Sequence, residues 1–297
     1  MTKPKRILNN LEKIMVNKIV IKDSELKSIF AGRIIQAEND NRNAEICIYN
    51  NLVYKIYTGN KRTYKHNLYV LKQIIKKYKY LNAIKELILP TNLLVYNNDI
   101  VGYTMPYANG LLLGDILKDN LLNDEEKKLI FKKILSLIDR LKVLPFDIFI
   151  GDIHEKNIIV DNELNIKVID CDSFIINNKK LIVNNMILMG RFPNNYYSNQ
   201  ELKNIGIAAD YLSLFSLILN YVFKNIINQI EPVNFVKNNS EFNELNYILD
   251  RLKEPNNFYL TDKDIDNIFK LKNTIAYDDS SDLQKQLTRI RKIRSNC

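Results

Sequence analysis

The sequence has little of what would place a protein in a membrane or outside the cell. Its 297 residues contain no run of eighteen or more apolar residues, whereas a membrane-spanning helix needs about 20. The first six residues, MTKPKR, are basic and polar, and they do not lead into the apolar stretch of a secretory signal. We therefore expect a cytoplasmic protein that has no membrane partner.

Cysteine, glycine and proline are also scarce. The three cysteines, Cys47, Cys171 and Cys297, lie far apart, and none belongs to a CxxC pair. This spacing argues against a disulfide framework and against a zinc site. The eight glycines and seven prolines form no Gly/Ser-rich linker, and no internal repeat is visible. With 46% hydrophobic residues, the chain can bury the core of one large domain or of two lobes.

Acidic residues are outnumbered by basic ones, 34 to 43, which gives a formal net charge of +9. A basic protein attracts nucleic acid when its charges cluster on one face. Here the lysines are spread along the sequence. The two local clusters, 72–79 and 289–294, are typical of a solvated helix face and of a basic terminal helix end. Specific binding of nucleic acid is therefore not expected.

Residues from about 29 to 107 favour strands. Residues that are β-branched or aromatic concentrate in the segments 34–35, 44–49, 52–57, 93–96 and 100–105. Hairpin turns are predicted at 49–52 and 97–99, where asparagines separate two such segments. Between these hairpins, residues 62–80 carry apolar side chains at steps of three and four, which predicts one helix.

Helices dominate from about residue 108 onward. Asn123 or Asp124 is expected to cap a helix whose apolar residues repeat at helical spacing from 129 to 141. The segment 208–223 is so apolar that we expect a helix buried at the centre of this second region.

Two motifs between these helices carry the chemistry. Asp152 lies in FIGDIHEKNIIV, and Asn157 follows five positions later. Asp170 is the last residue of the largely apolar segment NIKVID. Mg²⁺-dependent phosphoryl transfer uses one carboxylate to orient or deprotonate the acceptor hydroxyl, together with an amide oxygen and a carboxylate to hold the metal. The spacing therefore predicts a kinase.

The order of these parts resembles the protein kinase superfamily, in the form of a divergent bacterial-type Ser/Thr protein kinase-like domain. A small sheet with one helix is followed by a hinge and then by helices with a catalytic hairpin. The resemblance implies an α+β, two-lobed protein kinase-like fold. Its N-lobe, with a small antiparallel sheet and any N-terminal extension, would cover residues 1–107, and its larger helical C-lobe would cover 108–297.

The same resemblance implies roles for individual residues, with ATP and Mg²⁺ as the cofactors. Lys55 is the catalytic strand lysine that binds the nucleotide phosphates, and Asn157 and Asp170 bind the metal and the nucleotide. Asp152 is the catalytic aspartate, and His154 contacts the γ-phosphate or the substrate. In the hinge segment GYTMPY the nucleotide contacts are Thr104 as gatekeeper, Met105 and Tyr107.

The chain also departs from the family pattern. No Gly-x-Gly-x-x-Gly is present, and only Gly32 precedes the Lys55 strand. The predicted helix has no acidic residue to pair with Lys55, because His66 or Asn67 occupies the expected place, so Asp23, Glu25 or Glu38 would have to substitute.

Two further departures fall in the motifs themselves. Gly151 stands where many protein kinases have an arginine. Asp172 replaces the glycine that follows the metal aspartate, where it either adds a second carboxylate near the metal or caps the turn, and we favour the cap.

Later matches decide between kinase classes. Glu201 resembles the carboxylate that ends the activation segment, and Asp210 resembles the aspartate that holds the catalytic-loop backbone. These matches favour a protein substrate, with a Ser, Thr or Tyr hydroxyl as the acceptor of the γ-phosphate. Gly151 and His154 instead resemble the residues found at these places in small-molecule kinases of the aminoglycoside or choline type. A catalytically weak pseudokinase scaffold is the third alternative, because the glycine loop and the helix glutamate are missing.

Overall fold

The chain is an α+β protein that combines a small sheet with several helices, which confirms the predicted class. The computed structural model describes residues 17–22, 33–34, 44–58, 64–118, 121–177, 199–222, 246–251 and 258–277. The chain divides into two units. Unit 1 comprises Met1–Leu112, Leu144–Ile150 and Lys156–Asn178, and unit 2 comprises Leu113–Val143, Gly151–Glu155 and Lys179–Cys297.

In the described part of unit 1, six strands form one sheet. They are β1 (Asn17–Val20), β2 (Arg33–Ile34), β3 (Ala44–Tyr49), β4 (Leu52–Tyr57), β5 (Asn92–Tyr96) and β6 (Asp99–Pro106). Their order is β1-β5-β6-β4-β3-β2, and all neighbours are antiparallel except β1 and β5. The antiparallel sheet expected from the sequence therefore holds except at this edge. The sequence did not predict β1, because its four residues, NKIV, show no alternation of polar and apolar side chains. In the structure all four are exposed.

Asparagine pairs close the two hairpins of the sheet. Asn50 and Asn51 have φ angles of 50° and 59°, and Asn97 and Asn98 have φ angles of 48° and 66°. Two consecutive residues with positive φ form the turn whose twist matches that of the strands on either side, and asparagine tolerates this conformation better than most residues. Both predicted turns are confirmed.

Helix α1 (Lys65–Leu81) connects the two hairpins, as the apolar spacing predicted. Its apolar stripe is buried, whereas Lys72, Lys76 and Lys79 are exposed, so the lysine cluster lies on a solvated face. A cluster of buried residues fills part of the sheet core, formed by Ile21, Cys47, Ile56 and Leu94. Cys171 is buried as well, and both thiols are free.

The motif hairpin belongs to unit 1. Strands β9 (Ile158–Val160) and β10 (Ile166–Val168) pair with each other, and β7 (Leu111–Leu112) pairs with β9; β8 (Ile148–Phe149) pairs with β11 (Ile175–Ile176). The Val168 amide donates to the Glu86 carbonyl at 2.7 Å, and the Ile88 amide donates to the Val168 carbonyl at 3.0 Å. These bonds tie the hairpin to the chain that follows α1, whereas the predicted division at residue 107 grouped it with the helices.

The described helices of unit 2 are α2 (Leu113–Lys118), α3 (Asp124–Lys142), α4 (Asn199–Val222), α5 (Asn246–Arg251) and α6 (Asp262–Tyr277). Asn123 caps α3, as predicted. Its side chain accepts a hydrogen bond from the Glu126 amide at 2.9 Å, and the Glu126 carboxylate accepts one from the Asn123 amide at 2.8 Å. This reciprocal pair satisfies two backbone donors and fixes where the helix begins.

Helix α4 forms part of the core of unit 2. Leu212, Phe215 and Ile218 are fully buried. The stretch Lys203–Val222 is long and apolar enough to cross a membrane, but 78% of it is buried inside the protein. Such burial is typical of a core helix, which agrees with the prediction for 208–223.

Gly102 allows β6 to approach the strand that carries Lys55. A Cβ atom at this position would lie 2.1 Å from the Lys55 carbonyl oxygen and 3.0 Å from the Ile56 Cα. Because these are backbone atoms of a paired strand, they cannot move without disturbing the sheet. We predict that Gly102→Ala lowers the free energy of unfolding by about 1–3 kcal/mol, as measured by urea denaturation.

Gly114→Ala is the matched control for this substitution. The three atoms nearest to a Cβ atom at Gly114 would all belong to the flexible side chain of Glu155, the closest at 3.2 Å. Alanine also has a higher helix propensity than glycine, so we expect a change near zero. Equal losses from the two substitutions would contradict the steric argument at Gly102.

Candidate functional site

Lys55 lies at the centre of the sheet. Strand β4 pairs with β3 on one side and with β6 on the other, which places Lys55 opposite Tyr103. Directly opposed residues of antiparallel strands point to the same face, and so do residues two positions apart. Lys55, Tyr57 and Tyr103 therefore share one face of the sheet. Lys55 is buried.

Asp170 follows the motif hairpin directly. Its backbone is left-handed, with a φ of 65°, which is uncommon for a residue other than glycine. The Ser173 amide donates to the Asp170 carbonyl at 3.0 Å and closes a short 3₁₀ turn, Cys171–Ser173. The Asp170 carboxylate forms an ion pair with Lys55. Two residues that the sequence assigned to the same nucleotide are thus in direct contact, although 115 positions separate them.

Asp172 is completely buried and binds four side-chain donors. Its Oδ1 accepts from Lys55 Nζ at 2.8 Å and from the Tyr103 hydroxyl at 2.9 Å. Its Oδ2 accepts from the Tyr57 hydroxyl at 2.7 Å and from Asn67 Nδ2 at 3.0 Å. The sequence favoured a turn cap for Asp172. The structure corrects this, because the carboxylate faces the lysine strand and its partners are side chains.

These contacts set the protonation of the site. Burial alone would lower the pKa of Lys55, but Asp172 and Asp170 outweigh it and the pKa is raised. Burial would raise the pKa of Asp172, yet Lys55 and the hydrogen bonds lower it. The pKa of Asp170 is raised by burial and by Asp172, against the effect of Lys55. Burial and Asp172 raise the pKa values of Tyr57 and Tyr103, so both remain hydroxyl donors.

Asn157 and Asp170 are the two residues that the sequence assigned to a magnesium ion. The Ile169 amide donates to the Asn157 carbonyl at 3.0 Å, so Asn157 lies opposite the residue before Asp170. The Asp170 side chain is 33% exposed, and the two carboxylates near Lys55 outnumber its single positive charge. In the described part of the chain, no three or more His, Cys, Asp or Glu side chains group as metal ligands. Mg²⁺ often uses one or two carboxylates together with substrate phosphates and waters, which such a pair allows.

Of the three predicted hinge contacts, the sheet brings one to the lysine face. Met105 is buried and lies two positions from the residue opposite Lys55, so it shares that face. Thr104 points to the other face, where its hydroxyl accepts from Asn92 Nδ2 at 2.7 Å. The Tyr107 ring is exposed. The register thus separates Thr104 from Lys55 and does not favour a gatekeeper role for it.

Asp152 and His154 lie in unit 2, in the loop Gly151–Glu155. His154 Nε2 is 3.5 Å from Asp152 Oδ2, so the two form an ion pair when the histidine is protonated. Gly151 has a φ of 73°, a conformation that glycine adopts freely and that would strain an arginine. Its amide donates to Asp210 Oδ1 at 2.9 Å. The predicted role of Asp210, holding the backbone of this loop, is confirmed.

Neither a protein-family model nor a curated protein matches this sequence. The geometry and chemistry of the side chains must therefore carry the functional argument.

Some predicted positions lie outside the described residues. They are Gly32, Asp23, Glu25, Glu38 and the side chain of Glu201.

Sequence reasoning missed the two tyrosines that bind Asp172. The signal for Tyr57 was present, because it lies two residues after Lys55 and so shares its face. Tyr103 becomes apparent only from the register of β4 against β6. The sequence placed His66 or Asn67 where a kinase helix has its glutamate, and the structure shows that the Asn67 side chain reaches the site.

Proposed function

We propose that this chain is an ATP- and Mg²⁺-dependent protein kinase that transfers the γ-phosphate to a Ser, Thr or Tyr hydroxyl. The ion pair between Lys55 and Asp170 carries the proposal. In a kinase, the strand lysine and the carboxylate after the hairpin must act on the same nucleotide, and such a contact is consistent with this requirement. A two-lobed protein kinase-like fold is part of the same proposal.

Each of the predicted site residues would have one role in this reaction. Lys55 would bind the α- and β-phosphates, and Asn157 and Asp170 would hold Mg²⁺. The metal, when bound, neutralises charge on the phosphates. Asp152 would orient the acceptor hydroxyl and accept its proton, and His154 would contact the phosphate or the acceptor. Such a reaction depends mainly on positioning and on stabilisation of charge.

A protein acceptor is favoured over a small molecule by the Asp210 contact. The resemblance links an aspartate at this place to protein kinases, and Asp210 binds the Gly151 amide as that role requires. A small molecule of the aminoglycoside or choline type is the alternative acceptor.

The proposal is tested with γ-labelled ATP and Mg²⁺. We expect the wild type to label Ser, Thr or Tyr in itself or in a mixed protein acceptor. Asp170→Asn, or removal of the metal with EDTA, should reduce the label to background. Asp115→Asn, which neutralises an exposed aspartate of α2, should label as the wild type does. Equal labelling by the wild type and Asp170→Asn would overturn the enzyme proposal. Release of ADP that requires an aminoglycoside or choline would identify a small-molecule kinase.

A scaffold that binds nucleotide without turnover is the second candidate. The observation that favours it is that helix α1 offers no carboxylate to Lys55, because residues 62–84 contain neither Asp nor Glu. Saturable binding of ATP without transfer of label, under the same conditions, would identify this class.

A further inference from the structure

The four hydrogen bonds to Asp172 use the full capacity of its carboxylate. A carboxylate offers about four lone-pair sites, two on each oxygen. Lys55 and Tyr103 occupy Oδ1, and Tyr57 and Asn67 occupy Oδ2. A metal ion could bind Asp172 only by displacing one of these donors. This arrangement excludes the second-metal-ligand role that the sequence left open.

The two carboxylates of the turn differ in exposure. The Asp172 side chain is 0% exposed, whereas that of Asp170 is 33% exposed. Of the two carboxylates, Asp170 is therefore the one that a ligand from solvent can reach. If a metal takes Asp170, Lys55 keeps Asp172 as its partner.

Helix α1 contributes a donor to this site where a kinase helix contributes an acceptor. Residues 62–84 contain neither Asp nor Glu. Asn67 donates instead to the Asp172 carboxylate at 3.0 Å and to the Asp172 backbone carbonyl at 3.3 Å. The Asn67 side-chain amide of helix α1 therefore binds the Asp172 carboxylate, and the same carboxylate binds Lys55.

We propose that Asp172 is the positioning residue that holds Lys55 for its nucleotide phosphates, in place of a carboxylate from the helix. This inference rests on the proposed function, because the phosphate role of Lys55 is part of it. The partner of the lysine then comes from the turn that also carries the metal ligand. The ion pair consequently forms in the protein without nucleotide, and helix α1 supports it through Asn67.

A double-mutant cycle on nucleotide affinity tests the inference. Calorimetry would measure the Kd of ATP with Mg²⁺ for the wild type, Asp172→Asn, Lys55→Met and the double variant. We expect Asp172→Asn to weaken binding by about 10- to 100-fold, because a charged hydrogen bond to Lys55 is lost. The double variant should bind no more weakly than Lys55→Met alone, because Asp172 acts through Lys55.

Asp264→Asn is the matched control. Asp264 is also buried, and it pairs with Arg251 at 2.7 Å within unit 2. Its loss should lower stability to a similar extent and leave the Kd unchanged. Wild-type affinity in Asp172→Asn, or additive effects of Lys55→Met and Asp172→Asn, would overturn the inference.

Labelling of amines by a small acylating reagent, read by mass spectrometry, tests the ion pair without nucleotide. In the wild type, Lys55 should be protected relative to the exposed Lys72, and Asp172→Asn should label Lys55 faster while Asp264→Asn does not. If Lys55 labels in the wild type as fast as Lys72, the inference fails even if Asp172→Asn does not fold. If the wild type binds no ATP but Lys55 shows this Asp172-dependent protection, the ion pair stands and the proposed function is what fails.

Discussion

Lys55→Met is expected to lower the free energy of unfolding by about 3–5 kcal/mol. The substitution removes the ammonium that lies 2.8 Å from Asp172 Oδ1 and also contacts Asp170. The remaining donors to Asp172 are neutral, so a buried carboxylate loses its only charged partner in the described part of the chain. Burial of a charge without an opposite charge is costly, and the cost appears as lost stability. Urea denaturation followed by circular dichroism measures it.

Lys132→Met is the control that separates the effect of burial from the effect of distance. Lys132 Nζ lies 2.7 Å from Asp266 Oδ1, with side chains 26% and 44% exposed. A partly exposed pair of this kind contributes at most about 1 kcal/mol, because water and salt screen it. The expected difference between the two lysine variants therefore arises from the environment and not from the distance. A loss in Lys55→Met that is no larger than in Lys132→Met would contradict the argument.

The double variant Lys55→Met/Asp172→Asn should recover part of the lost stability. Removal of both members of a buried pair is less harmful than removal of one, because no isolated charge remains at Asp172. The double variant could instead be less stable than Lys55→Met by as much as Asp172→Asn is less stable than the wild type. In that case the two residues do not act as a pair.

The elements of this fold that the sequence predicted are those set by local chemistry. The asparagines of the two hairpin turns adopt the left-handed conformations that such turns require. At the start of α3, the side chains of Asn123 and Glu126 each accept a hydrogen bond from the backbone amide of the other. The two residues are only three positions apart in the sequence. The apolar stripe of α1 follows from its helical period. Each of these signals lies within a few residues of sequence.

The site depends on pairings that no local pattern shows. Asp172 meets Lys55, 117 positions away, and Tyr103, 69 positions away, only because β4 and β6 pair in one register. A shift of one residue would turn Thr104 to the lysine face and Tyr103 away from it. The sequence placed Thr104 at the nucleotide because the proline-ended segment resembles a hinge, and such a resemblance does not fix which face each side chain takes.

Asp152→Asn is expected to lower the rate of phosphate transfer by about 10²- to 10⁴-fold while leaving the Kd of ATP close to that of the wild type. Asparagine has nearly the same shape as aspartate but cannot accept the proton of the acceptor hydroxyl. The loop should keep its position, because Asp210 holds it through the Gly151 backbone amide, which the substitution leaves unchanged. Single-turnover transfer from labelled ATP gives the rate, and calorimetry gives the affinity.

Glu155→Gln is the control for this substitution, because it removes the same charge from the same loop. The backbone carbonyl of Glu155 accepts from the Gly114 amide at 3.1 Å, and the change of side chain leaves this bond unaffected. We expect Glu155→Gln to transfer phosphate at a rate close to that of the wild type. Each variant removes one negative charge from the loop and replaces one carboxylate by an amide. A difference in rate between them therefore isolates the carboxylate at position 152. Equal losses would mean that the loop needs negative charge but that Asp152 is not the proton acceptor.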